Sequence, residues 1–215
     1  MLVSETSGSY QLAPVGVYSA VCTRLINMGM QETAYGLKHQ IHLAFEIDEK
    51  MDANDKGEER PFLMMQNYTL SLNEKARLRL DLQAWRGRAF TAEELAGFDL
   101  KTVLGKPLQV SVVHSADGQY ANIGSMMPLG RGMQPLPPAG DIIYINSLPA
   151  DNAGFELLSE RMKDRVEKGL ARLDGPPVAP AAPPVASAPP PPPVASAPPP
   201  QQPLPNHILD DEIPF

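Results

Sequence analysis

The sequence predicts a mainly β domain of α+β type, with a helical insert, a C-terminal helix and a disordered proline-rich tail. Three observations carry this. Residues 14–28 and 37–47 are rich in β-branched and bulky apolar residues, and the second stretch alternates with a period of two. Between residues 71 and 87 the period lengthens to that of a helix, before strand-like sequence resumes at Leu108. Most of the chain's 24 prolines lie between Gly175 and Asn206, where no residue is charged. Such a stretch buries no core and offers few backbone donors. The 215 residues thus divide into one globular unit over 1–174, large enough for a hydrophobic core, and an appendage.

The elements follow in order. Pro14 to Met28 reads as a long strand, bent at Gly16 and bulky on both faces. Asn27 to Gly36, with glycines near each end, reads as a loop. From Leu37 to Ile47, His39, Ile41, Leu43, Phe45 and Ile47 fall on one face. Lys38, Gln40, His42, Ala44 and Glu46 fall on the other, the pattern of a half-buried strand. Asp48 to Arg60 is an acidic loop, and Pro61 to Leu70 a third strand. Ser71-Leu72-Asn73-Glu74 fits a capping box, with Asn73 as the alternative N-cap. Leu78, Leu82 and Trp85 then mark a helix stripe that Gly87 stops. Thr91 to Glu94 and Asp99 to Leu104 predict two further short turns of helix. Leu108 to His114 and Tyr120 to Met126 form a hairpin across Asp117-Gly118. Met127 to Pro149 is irregular, and Phe155, Leu158, Met162, Val166, Leu170 and Leu173 mark an amphipathic helix. That helix packs back on the domain or pairs with a second copy, so a homodimer is permitted. Three strands, a helix and two strands is the element order of a five-stranded OB barrel, an order an open α+β meander shares.

Charge is unevenly placed. Three of the seven net negative charges sit at the C-terminus, leaving −4 for the rest. From Glu46 to Glu59 seven acids face two lysines, whereas from Lys75 to Lys106 seven bases face four acids. The overall sign argues against a nucleic-acid binder, but distribution matters more than the sum. Cys22 is the only cysteine, so no intrachain disulfide forms, in keeping with a reducing cytoplasm. The start of the chain lacks a signal-peptide pattern and no apolar run approaches a membrane span, so a soluble cytoplasmic protein is expected. Motifs of nucleotide hydrolases, metalloproteases and serine hydrolases are missing, and His39, His42, His114 and His207 show no metal spacing. Neither enzyme activity nor a cofactor nor a metal is expected.

The tail is the most specific signal. Nine residues from Pro184 recur nearly unchanged from Pro193. A proline-rich chain stays extended, and at about 3.1 Å per residue this one reaches on the order of 100 Å. It carries Asp210, Asp211, Glu212, Ile213, Pro214 and Phe215 away from the domain. A partner reading this tip needs an apolar slot for the Phe215 ring and a base for its carboxylate. The acids add salt-dependent attraction to a basic rim.

These residues resemble the C-terminal tip of bacterial single-stranded DNA-binding proteins, Asp-Asp-Asp-Ile-Pro-Phe, and depart from it at Glu212, which keeps the charge. In that family the tip binds primase, helicases, exonucleases and clamp-loader subunits. Residues 12–130 instead resemble a family of tailed-phage single-stranded DNA-binding proteins with OB folds. The similar segments are Leu12 to Tyr18, Lys38 to Ile41, Tyr68 to Trp85, and Gly105-Lys106-Pro107-Leu108 through Tyr120 to Ile123. The resemblance implies an OB domain over 1–130, a connection and helix over 131–174, a linker over 175–206 and a partner-binding tip over 207–215. It implies single-stranded DNA as one partner and host or phage replication, recombination and repair enzymes as others, in a bacterial host's cytoplasm. Such binding needs exposed aromatics for bases and cations for phosphates. Candidates are Tyr18, Arg24, Tyr35, Lys38, His42, Tyr68 and Tyr120, with Arg77, Arg79, Arg86 and Arg88 on a basic helix surface. Two alternatives stay open: a decoy that binds no DNA and occupies tip-binding proteins, and a mediator that binds duplex as well.

Overall fold

The computed structural model describes residues 11–52, 57, 59–147 and 153–173. The expected linker and tip, and residues 53–56 and 58 of the acidic loop, lie outside the described residues. The described chain is mainly β. Its strands are β1 (Gly16–Thr33), β2 (Gly36–Lys50), β3 (Pro61–Thr69), β4 (Pro107–His114), β5 (Ala121–Met127) and β6 (Ile143–Ile145). They form one sheet in the order β3-β2-β1-β4-β5, each neighbour antiparallel, with β6 added parallel to β1. Helices α1 (Arg77–Arg86) and α2 (Ala92–Ala96) and a 3-10 turn (Leu100–Val103) lie between β3 and β4. Helices α3 (Ala153–Glu156) and α4 (Glu160–Ala171) follow β6.

β1 outruns its expected end at Met28. The predicted loop over 27–36 shrinks to a hairpin whose last pair is Thr33 with Gly36. Two bulges explain why the pattern misled. Thr23 and Met28 are extra residues in β1 relative to β2, and each resets the alternation. Cys22 and Leu25 thereby reach one core, while Ile26 and Met28 reach another.

The first core lies on the inner face, where Leu25, Ile41, Leu43, Phe45, Met64, Val110 and Ile123 meet Leu78, Leu82 and Trp85 of α1. Trp85 sets its ring edge-on to Phe45, 5.7 Å between centroids, and donates its indole N–H to the Pro107 carbonyl at 3.0 Å. The second core covers the outer face of β1, where Ile26 and Met28 meet Ile143 and Ile145 of β6 and Val166 and Leu170 of α4. The amphipathic helix therefore packs back on its own sheet.

This second layer corrects the half-buried reading of β2. Every residue from Ile41 to Ile47 is buried, including Ala44, His42 and Glu46 on the expected solvent face. The chain after β5 returns across that face, and Glu46 accepts the Ala139 N–H at 2.7 Å. Three local expectations also shift. α1 starts at an Ala76 N-cap without a side-chain cap, and Ser71 instead accepts the Asn73 N–H in the preceding turn. The irregular 127–149 stretch contains β6. The stripe over 155–173 breaks into two helices, α4 starting afresh from Ser159 in extended backbone. The Gly87 stop holds, in left-handed backbone at φ 67°, and the expected turn from Thr91 forms as α2, opened by a capping box between Thr91 and Glu94.

Candidate nucleic-acid interface

Beyond the buried run from Ile41 to Ile47, the outer face of β2 and β3 carries exposed polar residues. β-strand alternation puts Lys38, Gln40, Asn67 and Thr69 on this face, and Gln40 pairs with Thr69 in register. Between it and the first turn of α1 runs a groove of about 440 Å³. Gln40, Asn67, Tyr68, Thr69, Ser71, Asn73, Ala76 and Arg77 line it, so Arg77 is the one charged residue of the lining. The Arg77 Nε donates to both Asp81 oxygens, at 2.8 and 2.7 Å, while its side chain stays about half exposed.

The predicted residues divide into three groups. Lys38 is exposed at one end of this face. Tyr35, 84% exposed in the β1–β2 turn, and Tyr120, 61% exposed beside β5, offer open rings for base stacking. Arg24 is half-buried on the outer face of β1; its Nε is buried without an acceptor and its guanidinium has no carboxylate partner among the described residues.

His42 and Tyr68 are corrected: both are buried, so neither offers an open ring for base stacking, although Tyr68 contributes to the lining of the groove. His42 is 4% exposed and its Nδ1 lies 2.7 Å from Asn67 Oδ1. Burial holds its pKa below the ordinary imidazole value; the Asn67 bond works against this, and the charges of Arg165 and Arg24 add to it. Tyr68 is 2% exposed and donates its hydroxyl to Asp81 at 2.9 Å, fastening β3 to α1. Burial first, then Asp81, pushes its pKa far up. Tyr68 lies on the inner face because β3 alternates in step with β2, a register that strand sequence alone does not reveal.

The third group is engaged elsewhere. Tyr18 is half-buried, donates its hydroxyl to the Pro14 carbonyl at 3.1 Å, and sits near Glu49 and Asp48, which with burial raise its pKa. Acids so close oppose a phosphate there. Arg86 is hydrogen-bonded to Glu94 and lies over the Phe90 and Phe98 rings, 4.5 and 5.3 Å from their centroids. Arg88 pairs with the same Glu94 at 2.7 Å. Glu94 is held at about 2 by Arg88, the Thr91 backbone and Arg86. The expected basic helix surface is therefore partly neutralised, Arg86 and Arg88 sharing the one carboxylate of Glu94 and Arg77 pairing with Asp81.

Sequence reasoning missed Gln40, Asn67 and Thr69 as groove residues and Arg165 altogether, whereas it named Arg77 as part of the basic helix surface. Gln40 was legible as a polar position on β2; Arg165 was not, because the docking of α4 depends on the bulge at Met28. Among the described residues no cluster of His, Cys, Asp or Glu is placed to hold a metal, and no helix is long and apolar enough to cross a membrane. No protein-family model matches the chain, and no curated protein sequence matches it.

Proposed function

We propose that the chain coats single-stranded DNA with an OB-type barrel, with little sequence preference, and recruits replication or repair enzymes through Asp210 to Phe215. The strand order β3-β2-β1-β4-β5, with α1 bonded to β3 through Tyr68 and Asp81, suits such a barrel. The Met126 sulfur of β5 lies 3.9 Å from the same Tyr68 hydroxyl, which brings the two edge strands to one side chain. A single observation carries the binding reading. Beside the first turn of α1, β2 and β3 hold a groove whose lining carries no carboxylate, and Lys38 and Arg24 on the same sheet are cations without acid partners among the described residues. That is the chemistry a sugar-phosphate backbone needs.

The test is oligo-dT binding by the full chain and by a Lys38→Ala/Arg24→Ala variant. The reading expects roughly tenfold weaker binding by the variant and a shallower salt dependence. Equal binding removes this face as the site. The decoy reading draws on the −4 net charge outside the tip. It expects no oligo-dT binding by the wild type at low salt.

A further inference from the structure

The cations of α4 fall into two classes. Lys163 pairs with Glu156 at 2.8 Å and Glu160 at 3.2 Å, and Lys168 pairs with Asp164 at 2.7 Å. Arg161, Arg165 and the C-cap residue Arg172 have no carboxylate partner among the described residues. Their spacings of four and seven put all three within roughly 40° of arc on the helix, at about 6 and 10 Å of rise. The stripe borders the face that Val166, Gly169 and Leu170 bury, so it runs along the line where α4 meets the sheet surface.

A charge run on a helix is usually its solvated face. Two features set this one apart. The stripe adjoins the candidate groove: Gly169 of α4 meets Gly29 of β1, Gly29 pairs in register with Gln40 of β2, and Gln40 lines the groove. Its position is also fixed. A Cβ on Gly169 would stand 1.9 Å from the Met28 carbonyl oxygen, and one on Gly29 would stand 2.1 Å from the Gly169 backbone. Helix and strand thus meet backbone to backbone. Gln31 Nε2 bridges the same seam, donating to the Arg165 carbonyl at 2.9 Å and the Met28 carbonyl at 2.6 Å.

We infer that α4 is part of the DNA-binding surface: phosphates leaving the groove on β2 and β3 track along the helix, met by Arg165 and then by Arg161 and Arg172. Planar guanidinium groups suit phosphate oxygens bidentately, which lysine does not match. The inference rests on the single-stranded DNA reading and extends its site to an element outside the five-strand path.

The test uses the full chain and labelled oligo-dT across a salt series. An Arg161→Ala/Arg165→Ala/Arg172→Ala variant is expected to bind at least about tenfold more weakly at low salt. Its log–log salt slope should be shallower by about two, three phosphate contacts at roughly 0.7 each. Because these side chains make no hydrogen bonds among the described residues, its melting temperature should stay that of the wild type. A Lys163→Ala/Lys168→Ala variant should keep the wild-type slope. Gly169→Ala, which keeps every arginine but forces α4 off β1, should weaken binding too. A triple variant with wild-type affinity and slope, beside a wild type that binds, overturns the inference alone. A wild type that does not bind oligo-dT overturns the inference and the DNA reading together.

Discussion

Single side chains decide which predicted residues are able to meet a ligand. Tyr68 was a candidate for base stacking and is instead a buried fastener between β3 and α1. Tyr68→Phe should cost about 1–2 kcal/mol in denaturant unfolding, because Asp81 loses one donor and keeps Arg77. Its oligo-dT affinity should not change; a selective loss of affinity at full stability would return Tyr68 to the binding surface. His42 sets a pH dependence. Its folded pKa lies below the ordinary value of 6.5, so the folded state binds the proton less readily than the unfolded one. The stability this contributes is complete above about pH 6.5 and is lost as pH falls from there towards the folded pKa. Melting temperature should fall on acidification through this window, and less steeply in His42→Gln. His39 acts in the same direction, its pKa also lowered by burial, so part of the fall should remain. Exposure of Tyr35, Tyr120 and Lys38 was legible because each sits in a turn, beside one, or at a strand's polar end. Burial of His42 was not, since it comes from chain more than 90 residues further on.

Elements were more legible than their surroundings. Strand β2, β3, the β4–β5 hairpin and the Leu78–Leu82–Trp85 stripe are all written in local period and turn residues. What local sequence does not carry is the pair of bulges in β1 and the three-residue β6, which has too few residues to show a period. Those features seat α4, and the seat is tight. Gly169→Ala should destabilise the domain by about 1–3 kcal/mol, the cost of forcing one methyl group into a filled site. A fully neutral result would mean that α4 is not docked as described. In the helical insert, Arg86 is held by Glu94, Phe90 and Phe98. Arg86→Ala should lower melting temperature more than Arg88→Ala, whose side chain is more than half exposed, and neither should alter oligo-dT affinity. The reverse pattern would restore the insert as a phosphate path.

For the whole molecule the charge pattern, rather than its sum, carries the functional reading. Acids gather between Glu46 and Glu59 and at the C-terminus. Arg24, Lys38 and the α4 arginines have no acid partner among the described residues. The tip and the sheet have separate roles in this account. Removing Asp210 to Phe215 should abolish capture of tip-reading enzymes while leaving a chain that still binds oligo-dT; loss of DNA binding with the tip would merge the two roles. The central claim is that the folded domain holds single-stranded DNA through its phosphates. Fluorescence anisotropy of labelled oligo-dT with the full chain, at low and moderate salt and against a matched duplex, measures this most directly. The account predicts tight binding that weakens steeply with salt and that the duplex fails to displace. Absence of binding at low salt would contradict it and leave the terminal tip as the functional element of the chain.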